Sequence, residues 1–305
     1  MTGAQAVVRS LEELDVDTIF GIPGGAVLPV YDPLFDSQKL RHVLVRHEQG
    51  AGFMADGYAR VTGRPGVCFI ITGPGMTNIL TAMGQAYADS IPMLVISSVN
   101  RTEQLAMGQG RLHELPSQQA VVAGVTAFSH TILHPSQLPE VLARAFALFS
   151  SARPRPVHIE IPTNVITASA DDLPLQARPL PSRPGPDPES IVRAAALLAR
   201  AERPLLVLGG GAVGAAAEAR ALAERLDAAR EGADLVVSGR VVGLPQPGEM
   251  GTSLLFAPDA LALASGASVA LPSRRTTSAT LPDPPISSAI LSAASAAASS
   301  TWVGK

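Results

Sequence analysis

Cysteine, charge and aromatic side chains are all scarce in this chain of 305 residues. Its single cysteine, Cys68, excludes an internal disulfide and is typical of a reducing compartment. Because Cys68 lies in the apolar run 67–71, we expect a buried and inert thiol. Charged residues make up only 16% of the chain and the net charge is -3, so the charge does not indicate binding to nucleic acid or to an anionic membrane.

Long apolar runs are also missing, since none approaches the ~20 residues that a membrane-spanning helix needs. The chain does not open with a basic segment followed by an apolar one, as a secretory leader would. We therefore expect a soluble, cytoplasmic protein. A length of 305 residues with 47% hydrophobic composition leaves room for about two domains, each with its own core.

Helical spacing alternates with short apolar strands through the first part of the chain. The pattern predicts strands at 17–21, 41–45, 67–71, 93–97 and 157–161, and helices at 4–14, 48–61, 77–88 and 138–149. Strands that alternate with helices, and that are apolar on both faces, predict a parallel sheet flanked by helices. The predicted fold class is therefore α/β, with residues 1–170 as the first domain.

Two adjacent aspartates and repeated prolines break this pattern at 171–190, which we predict to be a linker. A partial second α/β domain is predicted at 191–244. Its elements are a helix at 191–200, a strand at 204–208, a glycine turn at 209–211, a helix ending near Leu226 and a weaker strand at 235–237.

Serine, alanine and proline dominate the segment 245–305, where charged and aromatic residues are rare. Such a composition buries too little apolar area to offset the entropy lost on ordering. We expect a disordered, low-complexity tail. A change of reading frame and a genuine low-complexity extension both remain open as its origin.

Three loops that contain glycine follow three of the predicted strands. They are Gly21-Ile22-Pro23-Gly24-Gly25, Arg46-His47-Glu48-Gln49-Gly50-Ala51 and Thr72-Gly73-Pro74-Gly75. Ligands of open parallel sheets bind beyond the carboxyl ends of the strands, and glycine lets the backbone approach them closely. Glu48 is thus a candidate for proton transfer. The alternative is an ordinary turn with Glu48 as a favourable charge at a helix start, but three such loops at one edge favour a site.

Several segments together resemble thiamine-diphosphate-dependent enzymes related to acetolactate synthase. These segments are 21–24, 46–60, 72–78, 86–92 and 153–162, and the likeness runs in the family's order from residue 1 to about residue 226. Within the family, Cys68, Ser97-Ser98-Val99-Asn100 and Leu112-His113-Glu114 resemble the branch that decarboxylates 5-guanidino-2-oxopentanoate.

The resemblance implies that this chain holds the pyrimidine half of a thiamine diphosphate site. Glu48 would hydrogen-bond a nitrogen of the aminopyrimidine ring and favour its imino tautomer. The residues that would frame the ring are Pro74, Gly75 and Asn78, and those that would line the substrate side are Gly21, Ile22, Pro23 and Gly24. The implied reaction is decarboxylation of a 2-oxo acid or carboligation of the acetolactate synthase type.

Two histidines are candidates for contact with the 2-oxo acid. His47 adjoins Glu48, although a role in supporting the loop is an equal alternative. His113 would contact the substrate carboxylate or simply occupy a polar loop. Acetolactate synthases usually carry Phe-Gln-Glu where this chain has Leu112-His113-Glu114, so the difference favours a decarboxylase-like relative.

Family members bind the diphosphate through Mg²⁺ in a third domain whose hallmark is Gly-Asp-Gly. That sequence occurs nowhere in the 305 residues, so we predict no metal ligand here and expect Mg²⁺ from the missing domain. Relatives complete the site between subunits, which implies a homo-oligomer, either dimer or tetramer. We expect this chain to be an inactive fragment by itself. The alternative is a non-catalytic binding module or a split-enzyme subunit whose partner supplies the diphosphate domain.

FAD is a further open alternative, because some relatives bind it in their middle domain. The triple glycine at 209–211 resembles the start of that domain, and Arg153 stands where FAD-binding relatives carry an arginine. A surface arginine is the alternative for Arg153. A dehydrogenase nucleotide loop at 209–211 ranks last, because the G-x-G-x-x-G order with a ribose-binding acid is absent.

Overall fold

The computed structural model describes residues 1–171, 173–175, 179–201, 206–228 and 235–236. These residues fall into two compact units, the first ending at Ser182 and the second beginning at Arg183. The low-complexity tail predicted at 245–305 lies outside the described residues.

The first unit is a six-stranded parallel sheet with helices on both faces. Its strands are β1 (Thr18–Gly21), β2 (Arg41–Leu44), β3 (Gly66–Ile70), β4 (Met93–Val99), β5 (Phe128–Thr131) and β6 (Val157–Pro162). Its α-helices are α1 (Gly3–Glu13), α2 (Leu28–Asp36), α3 (Glu48–Thr62), α4 (Pro74–Asp89), α5 (Gln118–Val122), α6 (Leu138–Ser151) and α7 (Thr163–Ile166). The strand order is β2-β1-β3-β4-β6-β5 and every pairing is parallel, which confirms the predicted α/β class.

Two apolar cores cover the two faces of this sheet. Phe69 and Leu94 belong to the core shared with α1, α2 and α6, whereas their neighbours Cys68 and Val95 belong to the core shared with α3 and α4. This division follows from the alternation of side chains along a strand. Fully burying one such large side chain contributes roughly 1.5–3 kcal/mol. Cys68 is buried as expected, and burial raises the pKa of its thiol far above the usual range.

The predicted strands and helices of this unit are present, with bounds that differ by up to three residues. Four of these named elements were not predicted, namely α2, α5, α7 and β5. Prolines 29 and 33 concealed α2, because proline lacks the N–H that a helix interior uses. The five residues of α5 are too few to show a helical period, and the edge strand β5 has the mixed sequence Phe-Ser-His-Thr.

Helix α4 begins at Pro74, whereas the sequence pattern predicted a start at Thr77. Proline is favoured in the first turn of a helix, where its missing N–H has no partner to lose. Gly73, with φ at +67°, turns the chain into this helix. Pro74 and Gly75 therefore belong to the first turn of α4 rather than to the preceding loop.

The second unit contains α8 (Pro188–Arg200), β7 (Leu206–Val207), α9 (Ala216–Ala228) and β8 (Leu235–Val236), with β7 and β8 parallel. Helix α8 begins earlier than the predicted residue 191, because the Asp187 carboxylate caps it by accepting from the Ser190 backbone N–H at 2.9 Å. The predicted linker therefore ends inside a helix. Of the predicted strand at 204–208, residues 204 and 205 lie outside the described part.

Two residues of the predicted glycine turn, Gly210 and Gly211, lie in a 3₁₀ helix at Gly210–Ala215, which leads into α9. Helices α8 and α9 share a small core of Ala195, Leu222 and Leu226. Across both units, the described residues include no helix that is long and apolar enough to cross a membrane.

Candidate functional site

The three predicted loops leave the same edge of the sheet. Gly21, the last residue of β1, pairs with Leu44 at the end of β2 and with Phe69 near the end of β3. The Val45 backbone N–H then donates to the Gly21 carbonyl oxygen at 3.0 Å. Carboxyl ends of parallel strands meet at one edge, and this is where ligands of such sheets bind.

The Ile71 side chain lies between the first loop and the start of α4. A Cβ built on Gly24 would lie 2.7 Å from Ile71 Cδ1, and one on Gly75 would lie 2.7 Å from Ile71 Cγ2. A Cβ on Gly21 would lie 2.5 Å from the Phe69 carbonyl oxygen. At Gly21 the neighbour is backbone, so no larger residue fits, whereas at Gly24 and Gly75 a larger residue would force the Ile71 side chain to shift.

The Glu48 side chain contacts α4 at the place where the three loops converge. Its Oε2 accepts a hydrogen bond from Asn78 Nδ2 at 2.9 Å. Its Oε1 lies 3.3 Å from the position that a Cβ on Gly75 would take. Glu48 is half-buried and is the first residue of α3, where a negative charge also favours the helix start. The structure thus brings Glu48, Gly75 and Asn78 together, with Pro74 in the same turn.

The two candidate histidines have different surroundings. His47 is exposed, and its Nδ1 accepts from the Gln49 backbone N–H at 3.2 Å, so it caps α3. His113 is half-buried and adopts a positive φ of +58°, which is uncommon outside glycine. Its backbone carbonyl and Cβ pack so closely on Gly73 that a Cβ there would overlap them. The main chain and Cβ of His113 therefore pack against Gly73 in the third loop.

Glu114 organises the loop that carries His113. Its Oε1 accepts from the Gly108 N–H at 2.7 Å, and its Oε2 accepts from the Arg111 N–H at 2.8 Å. Backbone N–H groups of this kind hold the pKa of Glu114 below its usual range, and that of Arg111 has the largest effect. Asn100 Nδ2 donates to the Leu112 carbonyl oxygen at 3.2 Å. The loop is thus shaped by hydrogen bonds although much of it is exposed.

A buried polar cluster beside Thr72 and Gly73 was missed by the sequence patterns. Its members are Thr72, Ser97, Ser98, Gln118, His158 and Glu160, each at most 4% exposed. Burial raises the pKa of Glu160 and lowers that of His158 to about 3. The signal available in the sequence was β6 itself, where His158 and Glu160 alternate with apolar residues along a strand that is otherwise typical of a core.

Arg153 lies just before β6, at the edge opposite Glu48, and its Nε donates to Ser90 Oγ at 2.6 Å. A Cβ on any of the glycines 209–211 would meet nothing within 4 Å, so packing among the described residues does not require glycine there. In the described part of the chain, no group of three or more His, Cys, Asp or Glu side chains is placed to hold a metal ion.

A parallel α/β domain with a carboxylate held among three glycine-containing loops defines a class of cofactor-binding domain. Residues 1–121 match the thiamine pyrophosphate enzyme family, N-terminal TPP binding domain. The chain belongs to the thiamine-diphosphate-dependent enzymes of the acetolactate synthase-like family, and the predicted resemblance is confirmed at this level.

Relatives from three bacteria agree with this assignment. The chain is 56% identical over 229 residues to the probable 2-ketoarginine decarboxylase AruI of Pseudomonas aeruginosa, covering 75% of this chain and 41% of that protein. It is 47% identical over 237 residues to the acetolactate synthase large subunit of Corynebacterium glutamicum, covering 73% and 36%. It is 41% identical over 226 residues to the acetolactate synthase isozyme 1 large subunit of Escherichia coli, covering 73% and 40%. The aligned region thus spans 36% to 41% of the length of these relatives.

Proposed function

We propose that the first unit forms the aminopyrimidine-binding half of a thiamine diphosphate site in a 2-oxo-acid decarboxylase. One observation carries the proposal, which is the Glu48 carboxylate held by Asn78 with its second oxygen beside Gly75. A carboxylate needs a fixed position to act in proton transfer, and the hydrogen bond from Asn78 of α4, together with the place of Glu48 at the start of α3, provides it.

The residues around Glu48 fit a flat heterocycle with ring nitrogens. Gly75 exposes backbone where any side chain would meet Ile71 and Glu48, so the space beside the carboxylate is free of a Cβ. Ile71 supplies apolar surface between Gly24 and Gly75. Pro74, Gly75 and Asn78 would frame the ring, and Gly21, Ile22, Pro23 and Gly24 would line the substrate side.

Glu48 would act on a ring nitrogen through Oε1, the oxygen that does not bind Asn78. When bound, thiamine diphosphate supplies the electron sink that decarboxylation of a 2-oxo acid requires. The part of this chain is to hold the proton between Glu48 and the ring nitrogen. Asn78 keeps the carboxylate from rotating, because its amide N–H occupies Oε2.

We propose 2-ketoarginine, which is 5-guanidino-2-oxopentanoate, as the substrate. The relative at 56% identity named as its probable decarboxylase supports this choice. His113 would contact the substrate from the loop beside Gly73, and His47 is a second candidate for contact. Acetolactate formation is the other candidate, supported by the relatives named as acetolactate synthases.

The diphosphate and Mg²⁺ would be held outside the described residues, on a Gly-Asp-Gly segment of another polypeptide or another part of the enzyme. On this proposal the 305 residues alone release no carbon dioxide from a 2-oxo acid. A split enzyme, in which a partner chain supplies that segment, would regain turnover when the partner is added. FAD binding by 209–211 and Arg153 gains no support from the contacts of these residues.

We further propose that the chain forms a homo-oligomer through α3. Five positions of this helix share one face at helical spacing, namely Gly50, Phe53, Met54, Gly57 and Val61. Phe53 is 42% exposed, Met54 47% and Val61 88%, and both glycines face open space. An apolar helix face of this kind marks an interaction surface. Its nearness to Glu48, the first residue of α3, would bring a second copy to the site.

Calorimetric titration of the 305-residue chain with thiamine, and then with thiamine diphosphate and Mg²⁺, tests the assignment of the site. If only the pyrimidine half is present, the two ligands should bind with affinities within about tenfold of each other. Glu48→Gln should weaken both by at least about tenfold, roughly one charge-assisted hydrogen bond. Glu140→Gln is the matched control, since Glu140 is an exposed acid in the first turn of α6.

Equal binding by the Glu48→Gln and Glu140→Gln variants would remove Glu48 from the site. Carbon dioxide release should be followed in parallel with 2-ketoarginine and with pyruvate. Turnover by the 305 residues alone would contradict the proposed need for a diphosphate-binding segment elsewhere.

A further inference from the structure

A buried glutamine, Gln118, holds the third loop by hydrogen bonds to it. Gln118 is the first residue of α5, and it is only 3% exposed. The amide oxygen accepts from the Gly73 backbone N–H at 3.0 Å and from the Thr72 hydroxyl at 3.0 Å. The amide nitrogen shares its two N–H groups among three acceptors, namely Ser97 Oγ at 2.9 Å, the Ser98 carbonyl at 3.1 Å and Glu160 Oε2 at 3.0 Å. Every hydrogen-bonding site of the amide is therefore used.

The partners of Gln118 leave only one orientation for its amide. The Gly73 N–H can only donate, so the oxygen must face it, and the Ser98 carbonyl can only accept, so the nitrogen must face the opposite way. Reversing the amide would leave buried donors facing each other and buried acceptors facing each other, which is costly away from water. The contact with the loop is thus fixed in direction.

Glu160 holds the amide nitrogen of Gln118 in place. Its Oε2 accepts from Gln118, and its Oε1 accepts from the Thr131 hydroxyl at 2.6 Å. A carboxyl group that is 4% exposed needs such partners, because burial without hydrogen bonds is strongly unfavourable. Neither Gln118 nor Glu160 has a part in the proposed proton transfer, so the pair calls for another explanation.

The loop that Gln118 holds determines where α4 begins. Gly73 has a φ of +67°, and the next residue, Pro74, is the first of α4. The first two turns of α4 carry Gly75 and Asn78, the two residues that meet the Glu48 carboxylate. A shift of the turn at 72–73 would therefore move both residues relative to Glu48.

We infer that Gln118 is a positioning residue for the pyrimidine site, with Glu160 as the acceptor that orients its amide. The pair holds the turn at Thr72–Gly73 and, through it, the start of α4 against Glu48. This inference rests on the proposed function, because positioning α4 matters only if a pyrimidine ring binds beside Glu48. The contact between Gln118 and the turn can be measured separately, by hydrogen exchange without any ligand.

Hydrogen exchange and ligand affinity measured on the same variants test the inference. In Gln118→Leu, amide exchange in a peptide spanning residues 71–79 should rise about tenfold, since the Gly73 N–H loses its acceptor. The dissociation constant for thiamine should rise with it, again by about tenfold. Gln119→Leu is the matched control, because this adjacent glutamine bonds Thr131 at 2.8 Å and not the turn. Gln118→Met, of similar length, serves if the Leu variant does not fold.

An exchange of the two side chains supplies the rescue that a merely space-filling role would not give. Gln118→Glu alone places two carboxyl groups together. In the double variant with Glu160→Gln, the carboxylate at position 118 still accepts from Gly73 and Thr72 and the amide at position 160 donates to it, although the Ser98 carbonyl loses its donor. Exchange and thiamine affinity should then both move back toward the parent, relative to Gln118→Glu alone.

Parallel changes in exchange and affinity, reversed together in the double variant, would support the inference. Unchanged exchange at 71–79 in both Gln118→Leu and Gln118→Met would overturn it, as would faster exchange with unchanged thiamine affinity. Failure of the parent chain to bind thiamine would contradict the proposed function and, with it, any role of Gln118 toward the ring. The exchange measurement would still decide whether Gln118 holds the turn, so the two failures are distinguishable.

Discussion

Asn78 donates a 2.9 Å hydrogen bond to Glu48, and this bond joins the beginnings of the two helices that flank the site. Glu48 opens α3 and Asn78 lies in the second turn of α4, 30 residues further along the chain. The starts of both helices carry partial positive charge, which favours a carboxylate between them. The bond therefore sets the direction in which the remaining carboxylate oxygen points.

The Glu48–Asn78 bond should appear as an energetic coupling. We expect Glu48→Ala and Asn78→Ala each to lower the free energy of unfolding, and the double variant to lose about 1 kcal/mol less than their sum. Urea unfolding of the four proteins measures this. Glu140→Ala combined with Asn78→Ala is the control cycle, and its effects should add. Full additivity in the Glu48 cycle would show that the bond has no net effect in solution.

Gly75 should be intolerant of alanine although it lies in a helix, where alanine is ordinarily favoured by about 1 kcal/mol. A Cβ there would lie 2.7 Å from Ile71 Cγ2 and 3.3 Å from Glu48 Oε1. We expect Gly75→Ala to destabilise by about 1–3 kcal/mol, as overpacking does, and to weaken thiamine binding. Thermal unfolding and titration measure the two effects.

Gly84 offers a matched control in the same helix. A Cβ there would lie 3.7 Å from Val125 Cγ1, an ordinary contact, so Gly84→Ala should stabilise by about 0.5–1 kcal/mol. A Gly75→Ala variant as stable as Gly84→Ala, with unchanged thiamine affinity, would show that Ile71 gives way and that the space beside Glu48 is not needed.

His158 should make the domain sensitive to acid. Its ring is fully buried between Ser97 and Ser129, at 2.8 Å and 2.7 Å from their hydroxyl oxygens, and burial lowers its pKa from 6.5 to about 3. The unfolded chain therefore binds a proton at this position before the folded chain does. Stability is lost as pH falls from 6.5 toward about 3, by up to ~1.4 kcal/mol per pH unit.

Glu160 opposes this trend over part of the range, since its raised pKa favours the protonated folded state as pH falls toward 4.5. The contribution of His158 is therefore best measured as the difference in unfolding free energy between the parent and His158→Gln. This difference should change steadily in favour of the variant from pH 6.5 to pH 4. A difference that does not vary with pH would contradict a buried neutral ring.

The sequence was most informative where a pattern repeats or a motif is long. Apolar strands alternating with helices predicted the parallel sheet, and the loops around Gly24, Glu48 and Gly75 were predicted to share an edge because parallel strands require it. The bond from Asn78 to Glu48 depends on how α3 and α4 pack, which no local pattern encodes. Gln118 escaped notice for the same reason, since its partners lie 20 to 46 residues away in the chain.

The exposed face of α3 provides the last prediction, which concerns assembly. If Phe53, Met54 and Val61 are covered by a second copy, the chain should sediment as a dimer or tetramer. Met54→Lys should shift it to monomer, because a buried unpaired ammonium group opposes association. Phe35→Lys is the control, since Phe35 is 90% exposed on α2, a different helix. A parent chain that sediments as a monomer at all concentrations tested would contradict self-association through this face. Dissociation by both variants would show that added charge, rather than the α3 face, is responsible.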